Sequence, residues 1–172
     1  MDQLMVIDGN SLMFRAFYAL PPLTSPDGQP TQAIHGFFNM LLKLVQERKP
    51  RYVAVAFDLP GGTFRHEEYT EYKAGRRKTP PELHSQIPLM QDLLAQMGIC
   101  VMGEQGFEAD DILGTLAAWA EERAMPALLV TGDKDALQLV SGSTTVILTK
   151  KGISETADYT PERLGVVVAG CF

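Results

Sequence analysis

The sequence predicts an α/β protein with a mostly parallel central sheet flanked by helices. Short aliphatic runs alternate with amphipathic helical segments from residue 4 to residue 148. Strands alternating with helices in this way pair in parallel and carry helices on both sheet faces. At 172 residues, 45% hydrophobic and 21% charged, the chain suits one globular domain with a sizeable core.

Residues 4–7 form the first apolar run, ending in Asp8-Gly9-Asn10. A helix capped at Asn10 or Ser11 is expected to run to Ala19. Four prolines and a glycine between residues 20 and 30 predict a loop. Apolar residues at 34, 37, 38, 41, 42, 44 and 45 place an amphipathic helix over 33–48. Residues 52–57 read as a second strand, ending in Asp58 before Pro60-Gly61-Gly62.

Pro81 suits the first turn of a helix over 81–97, which Gly98 ends. Residues 99–102 make a third strand, with Cys100 as a small core residue. The next helix spans 108–123, with Ile112, Leu116 and Trp119 on one face. A fourth strand covers 127–131, and Gly132-Asp133 opens a short helix to Val140. Residues 144–148 form a fifth strand, 150–152 a turn, 153–159 a hairpin return, and 160–162 start a last short helix.

The densest chemistry lies in G-F-E-A-D-D-I-L-G, residues 106–114, which sets Glu108, Asp110 and Asp111 within four residues. Carboxylates so close repel one another unless a cation sits among them. Asp8 follows the first strand, Asp58 the second, and Asp133 and Asp135 the fourth. In a parallel sheet all seven acids fall on the rim outside the carboxyl ends of the strands, where ligands of α/β folds bind. Each acid has a plainer role as a turn residue or helix cap. Acids at every strand end on one rim point instead to a metal site. Seven exceed the needs of one Mg2+, so two ions are expected.

Residues 63–79 differ in character. Arg65, His66, Lys73, Arg76, Arg77 and Lys78 are interleaved with Tyr69 and Tyr72. Beside an acidic pocket such a segment suits a polyanion, with cations offsetting repulsion and tyrosines able to stack on unpaired bases. Interleaved Glu67, Glu68 and Glu71 allow a solvated surface as the alternative. Arg15, on the helix beginning beside Asp8, is a further candidate phosphate contact. The net charge of −6 is more than accounted for by the seven acids, leaving the rest slightly basic.

Cys171 is expected to be a free thiol, and the two cysteines make no disulfide scaffold. His35, His66 and His84 have no ligand spacing. No phosphate-loop, dinucleotide or nucleophile-elbow motif occurs, which removes support for an NTPase, a dinucleotide enzyme and a serine hydrolase. No signal peptide or membrane span is legible, which predicts a cytoplasmic protein.

Five motifs carry a resemblance. V-I-D-G-N-S-L-M-F-R-A-F at 6–17, F-D at 57–58, and F-R-H-E at 64–67 with Y-K-A-G-R-R at 72–77 are three of them. G-F-E-A-D-D at 106–111 and T-G-D-K-D at 131–135 complete the set. Together they resemble the 5′-nuclease domain of bacterial DNA polymerase I, of the flap endonuclease superfamily with a PIN-like fold. The resemblance implies a structure-selective nuclease cutting 5′ ends and flaps of DNA in replication and repair, with Mg2+ or Mn2+.

It implies that Asp8, Asp58, Glu108, Asp110, Asp111, Asp133 and Asp135 are metal-site acids, Asp110 catalytic among them. Arg15, Lys73, Arg76 and Arg77 would meet phosphates, with Lys73 and Arg76 acting as electrophilic clamps. Arg65 and Tyr72 would belong to an arch over the 5′ strand. The family continues into two further metal-site aspartates and a helix-hairpin-helix element. Here G-V-V-V-A-G-C-F at 165–172 stands instead, which predicts a weaker second ion and weaker duplex affinity unless a polymerase or other C-terminal portion supplies them.

Two readings compete with an active nuclease. One is a DNA-binding remnant without catalysis. The other is a phosphatase of the haloacid-dehalogenase type, which needs an Asp where Asn10 stands.

Overall fold

The computed structural model describes residues 2–61, 79–150 and 155–169. Its centre is a six-stranded sheet of β1 (Leu4–Asp8), β2 (Tyr52–Ala56), β3 (Cys100–Met102), β4 (Ala127–Thr131), β5 (Thr144–Thr149) and β6 (Thr156–Tyr159). The order across the sheet is β3-β2-β1-β4-β5-β6. The first five strands are parallel, and β6 returns antiparallel to β5. Register places Asp8 opposite Ala56 of β2, and Ile7 opposite both Val55 and Val130. The three acid-bearing strands therefore lie side by side and end at one level.

Because successive side chains on a strand point to opposite faces, β1 divides its residues between two cores. Met5 and Ile7 pack with Val55, Leu128 and Val130 under α1 (Gly9–Ala19) and α2 (Gln32–Arg48). Leu4 and Val6 pack with Leu129, Val146 and Leu148 under α5 (Ala109–Glu121). Both faces are covered, which explains the uninterrupted apolar runs.

Several elements differ from expectation. Helix α1 begins at Gly9 because Asp8 itself is the N-cap, its carboxylate accepting from the Ser11 N–H at 3.0 Å. The expected helix over 81–97 is divided into α3 (Pro81–His84) and α4 (Gln86–Gln96). Pro88 has no N–H to give to the His84 carbonyl, so the ladder cannot run through.

Gln86, wholly buried at that break, serves α2 instead. Thr31 gives α2 no side-chain cap, and Gln86 Oε1 accepts from the Ala33 and Ile34 N–H groups at 2.8 and 3.2 Å. Cys100 is exposed rather than a core residue, because β3 is the edge strand. Trp119 is 41% exposed, with the Arg123 guanidinium 4.3 Å over its ring. The buried stripe of α5 runs instead through Ala109, Ile112, Leu113, Ala117 and Ala120.

The 3₁₀ helix Lys134–Leu139 follows β4, and α6 (Pro161–Ala169) closes the described chain. Arg48 at the end of α2 makes a two-pronged pair with Asp158 of β6, at 2.6 and 2.8 Å. Among the described residues no helix is long and apolar enough to cross a membrane. Arg65, His66, Tyr69, Tyr72, Lys73, Arg76, Arg77 and Lys78 lie outside the described residues, as do the 151–154 part of the hairpin and Cys171.

Candidate metal centre

The rim begins at Asp8. Leaving the sheet at the end of β1, this residue is only 5% exposed. Its Oδ1 accepts from the Ser11 N–H at 3.0 Å, and its Oδ2 accepts from the Thr131 hydroxyl at 3.0 Å. Burial nevertheless dominates and pushes its carboxyl up from 3.8 to about 7, with repulsion from Asp110 and Asp58 adding to the shift.

Asp58 stands one strand away. Its backbone N–H donates to Asn10 Oδ1 at 2.8 Å, and its own Oδ1 accepts from the Ala109 N–H at 2.6 Å. Asp58 thereby caps α5, a helix start that favours negative charge. Glu108, 5% exposed, is the N-cap residue of the same helix, and Asp111 Oδ2 accepts its N–H at 2.9 Å. Asp110 and Asp111 occupy the first turn.

Glu108, Asp110, Asp111 and Asp135 line one cleft of about 500 Å3 together with Gly114, Thr115 and Gln138. The structure thus brings Asp110 and Asp58 close enough to Asp8 to repel it, and gathers Asp135 with Glu108, Asp110 and Asp111. Asp110 belongs to both groups. Asp133 does not line that cleft; it caps the 3₁₀ helix, its Oδ1 accepting from the Asp135 N–H at 2.9 Å.

Among the described residues no three acids close on one point as a ready cage of direct ligands. Asp8, Asp58, Asp111 and Asp133 each have an oxygen engaged by an N–H donor. Mg2+ suits this arrangement, since it retains several waters and takes only one or two carboxylates directly. The buried Asp8 and the surrounding hard oxygen donors therefore fit a hydrated divalent cation.

Arg15 reaches the same rim but is bonded within the protein, its Nη2 donating to the Gly132 carbonyl at 3.0 Å. Ser11 Oγ accepts the Gly132 N–H at 2.8 Å. Gly132 is held so closely that a Cβ there would lie 2.4 Å from Arg15 Nε. The sequence reading missed Asn10, Ser11, Thr131 and Gly132 as builders of the site. Their signal was adjacency: all four sit inside D-G-N-S and T-G-D.

A family model described as 5'-3' exonuclease, N-terminal resolvase-like domain, matches residues 3–166. The chain is 50% identical over 161 residues to DNA polymerase I of Mycobacterium leprae, covering 92% of this chain and 18% of that protein. It is 47% identical over 161 residues to DNA polymerase I of Geobacillus stearothermophilus, covering 94% and 18%. The chain therefore spans 18% of the length of these relatives.

Two solved structures share its fold. The T5 D15 protein co-crystallised with metal ions superposes with a TM-score of 0.76 at 16% identity, covering 96% of this chain and 60% of that one. The catalytic core of Rad2 in complex with DNA substrate superposes with a TM-score of 0.53 at 19% identity, covering 98% and 50%. The fold is thus the one these two structures share. With its acids set on one rim and its sequence matched almost end to end, the chain belongs to the family of 5'-3' exonuclease N-terminal, resolvase-like domains.

Proposed function

We propose that this chain is a metal-dependent, structure-selective 5′-nuclease that hydrolyses phosphodiester bonds at 5′ ends or flaps of DNA, with Mg2+ or Mn2+ in two positions. The observation that carries the reading is Asp8, a buried carboxylate at the end of β1 with Asp110 and Asp58 close enough to repel it. The T5 D15 protein with metal ions and the Rad2 core with DNA substrate support the choice of cofactor and partner class.

Asp8, Asp58 and Asp110 would surround one hydrated ion, and Glu108, Asp110, Asp111 and Asp135 the other, each ion taking one or two carboxylates directly and the remaining acids, Asp133 among them, through its waters. When bound, such ions supply an activated water and steady the charge of the displaced oxygen. The protein's own part is orientation. The caps at Asp8, Asp58 and Asp133 fix the carboxylates before substrate arrives, so little reorganisation is left for the reaction. Lys73, Arg76 and Arg77 would draw in the phosphates, Arg65 and Tyr72 would contact the 5′ strand, and Arg15 would meet a neighbouring phosphate through N–H groups not given to Gly132.

A labelled 5′-flap duplex incubated in Mg2+, Mn2+ or EDTA, beside Asp110→Asn, tests the reading. Metal-dependent cutting near the junction, reduced by orders of magnitude in a folded variant, is expected. Equal cutting by wild type and variant overturns the assignment of Asp110.

A further inference from the structure

Thr131 is the last residue of β4 and is wholly buried, one of few polar side chains so placed among the described residues. Its hydroxyl oxygen lies 3.1 Å from the Asp133 backbone nitrogen and 3.0 Å from Asp8 Oδ2. The direction of both bonds is fixed by chemistry. A backbone N–H can only donate, so the hydroxyl accepts from Asp133. Its single proton is then free to go to the carboxylate, which accepts. One hydroxyl therefore joins two acids whose positions in the chain are 125 residues apart.

The junction is reinforced from α1. Ser11 N–H holds the other oxygen of Asp8, while Ser11 Oγ holds the Gly132 N–H, the peptide between Thr131 and Asp133. The Asp8 carboxylate is thereby fixed at both oxygens, and the chain carrying Asp133 is fixed at two successive N–H groups.

We propose that Thr131 is a positioning residue of the metal centre: its buried hydroxyl locks Asp8 and the Asp133 turn into one ligand set. The proposal rests on Asp8 being a metal-site acid. Outer-layer hydrogen bonds of this kind typically change metal affinity by about 10- to 100-fold when removed. Thr131→Val keeps the shape and removes the hydroxyl. Thr131→Ser keeps the hydroxyl and removes the methyl.

Mn2+ binding to the DNA-free protein, followed by calorimetric titration, reads the effect without any turnover. Thr131→Val is expected to weaken binding by about 10- to 100-fold, and Thr131→Ser to restore it to within a few-fold of wild type. Asp8→Asn is titrated in parallel. If Asp8→Asn weakens binding and folded Thr131→Val does not, the positioning role is overturned while the metal site stands. If Asp8→Asn also binds as wild type, the metal-site reading itself falls. Equal weakening in Val and Ser variants overturns the role of the hydroxyl. Should the valine variant fail to fold, Thr131→Ala, which also lacks the hydroxyl and adds no bulk, takes its place with the same outcomes.

Discussion

Replacing Asp8 by asparagine should stabilise the metal-free protein at pH 8 and do little at pH 5. Burial and neighbouring acids raise its carboxyl from 3.8 to about 7 in the fold. For an acid whose folded value is raised, the unfolded chain loses its proton first. Stability is then whole below the unfolded value, falls as pH rises, and the loss is complete above the folded value. At ~1.36 kcal/mol per pH unit, the penalty of ionising Asp8 grows to about 4 kcal/mol by pH 8. At pH 5 it has reached only about 1–2 kcal/mol.

Asparagine carries no charge and removes that penalty, but its single amide oxygen cannot accept from both the Ser11 N–H and the Thr131 hydroxyl, which costs about 1 kcal/mol. The net gain at pH 8 is about 3 kcal/mol. With Tm moving about 2–4 °C per kcal/mol in a chain of this size, the variant should melt about 6–12 °C above wild type. At pH 5 the remaining difference is about 0–1 kcal/mol, and the two should melt within about 4 °C of each other. Circular dichroism melts in EDTA between pH 5 and pH 8 measure this, and the variant-minus-wild-type difference isolates Asp8 from the other acids. With saturating Mg2+ the order should reverse, since the ion removes the penalty from wild type alone. A difference that stays flat with pH, or a variant melting below wild type at pH 8 in EDTA, refutes the reasoning.

Two further substitutions test the packing that carries the rim. A Cβ at Gly9 would lie 2.5 Å from a ring carbon of Phe57, and that ring is fully buried and has nowhere to move. Gly9→Ala should therefore cost about 1–3 kcal/mol of overpacking, read as a lower urea midpoint; an unchanged midpoint would mean the ring yields freely. Arg48→Ala removes the two-pronged pair with Asp158, whose side chains are both 32% exposed. Solvent screening limits the expected loss to about 1–2 kcal/mol, and a denaturation midpoint equal to that of wild type would show that the pair adds nothing.

What the sequence revealed followed from local rules. Apolar runs at 4–7, 52–57, 127–131 and 144–148 are long enough and bounded sharply enough to be strands, and acids at their ends needed only parallel pairing to converge. The misread positions depended on contacts far along the chain. Cys100 looks like a core residue until the sheet order makes β3 an edge. Asn10 and Ser11 are good caps by type, but Asp8 took the cap because its buried carboxylate needed a donor nearby. Gln86 capping α2 and Thr131 bridging to Asp8 join residues 53 and 123 positions apart, and no spacing rule connects them. Trp119 follows the period of α5, yet the stripe that is buried is the neighbouring one, three of whose five residues are alanines.

The sheet order has a consequence for how finely the centre is gauged. Strands β2, β1 and β4 are consecutive hydrogen-bonded neighbours, and β1 has one acid-bearing strand on each side. Neighbouring strands sit about 4.7–4.9 Å apart, while paired catalytic ions sit about 3.5–4 Å apart. The backbone ladder is therefore the ruler. The spacing between the points from which Asp8, Asp58 and the Asp133 turn depart is set by peptide hydrogen bonds in the most buried part of the molecule, on a length close to that of an ion pair. Loops elsewhere can lengthen or shorten without altering that interval.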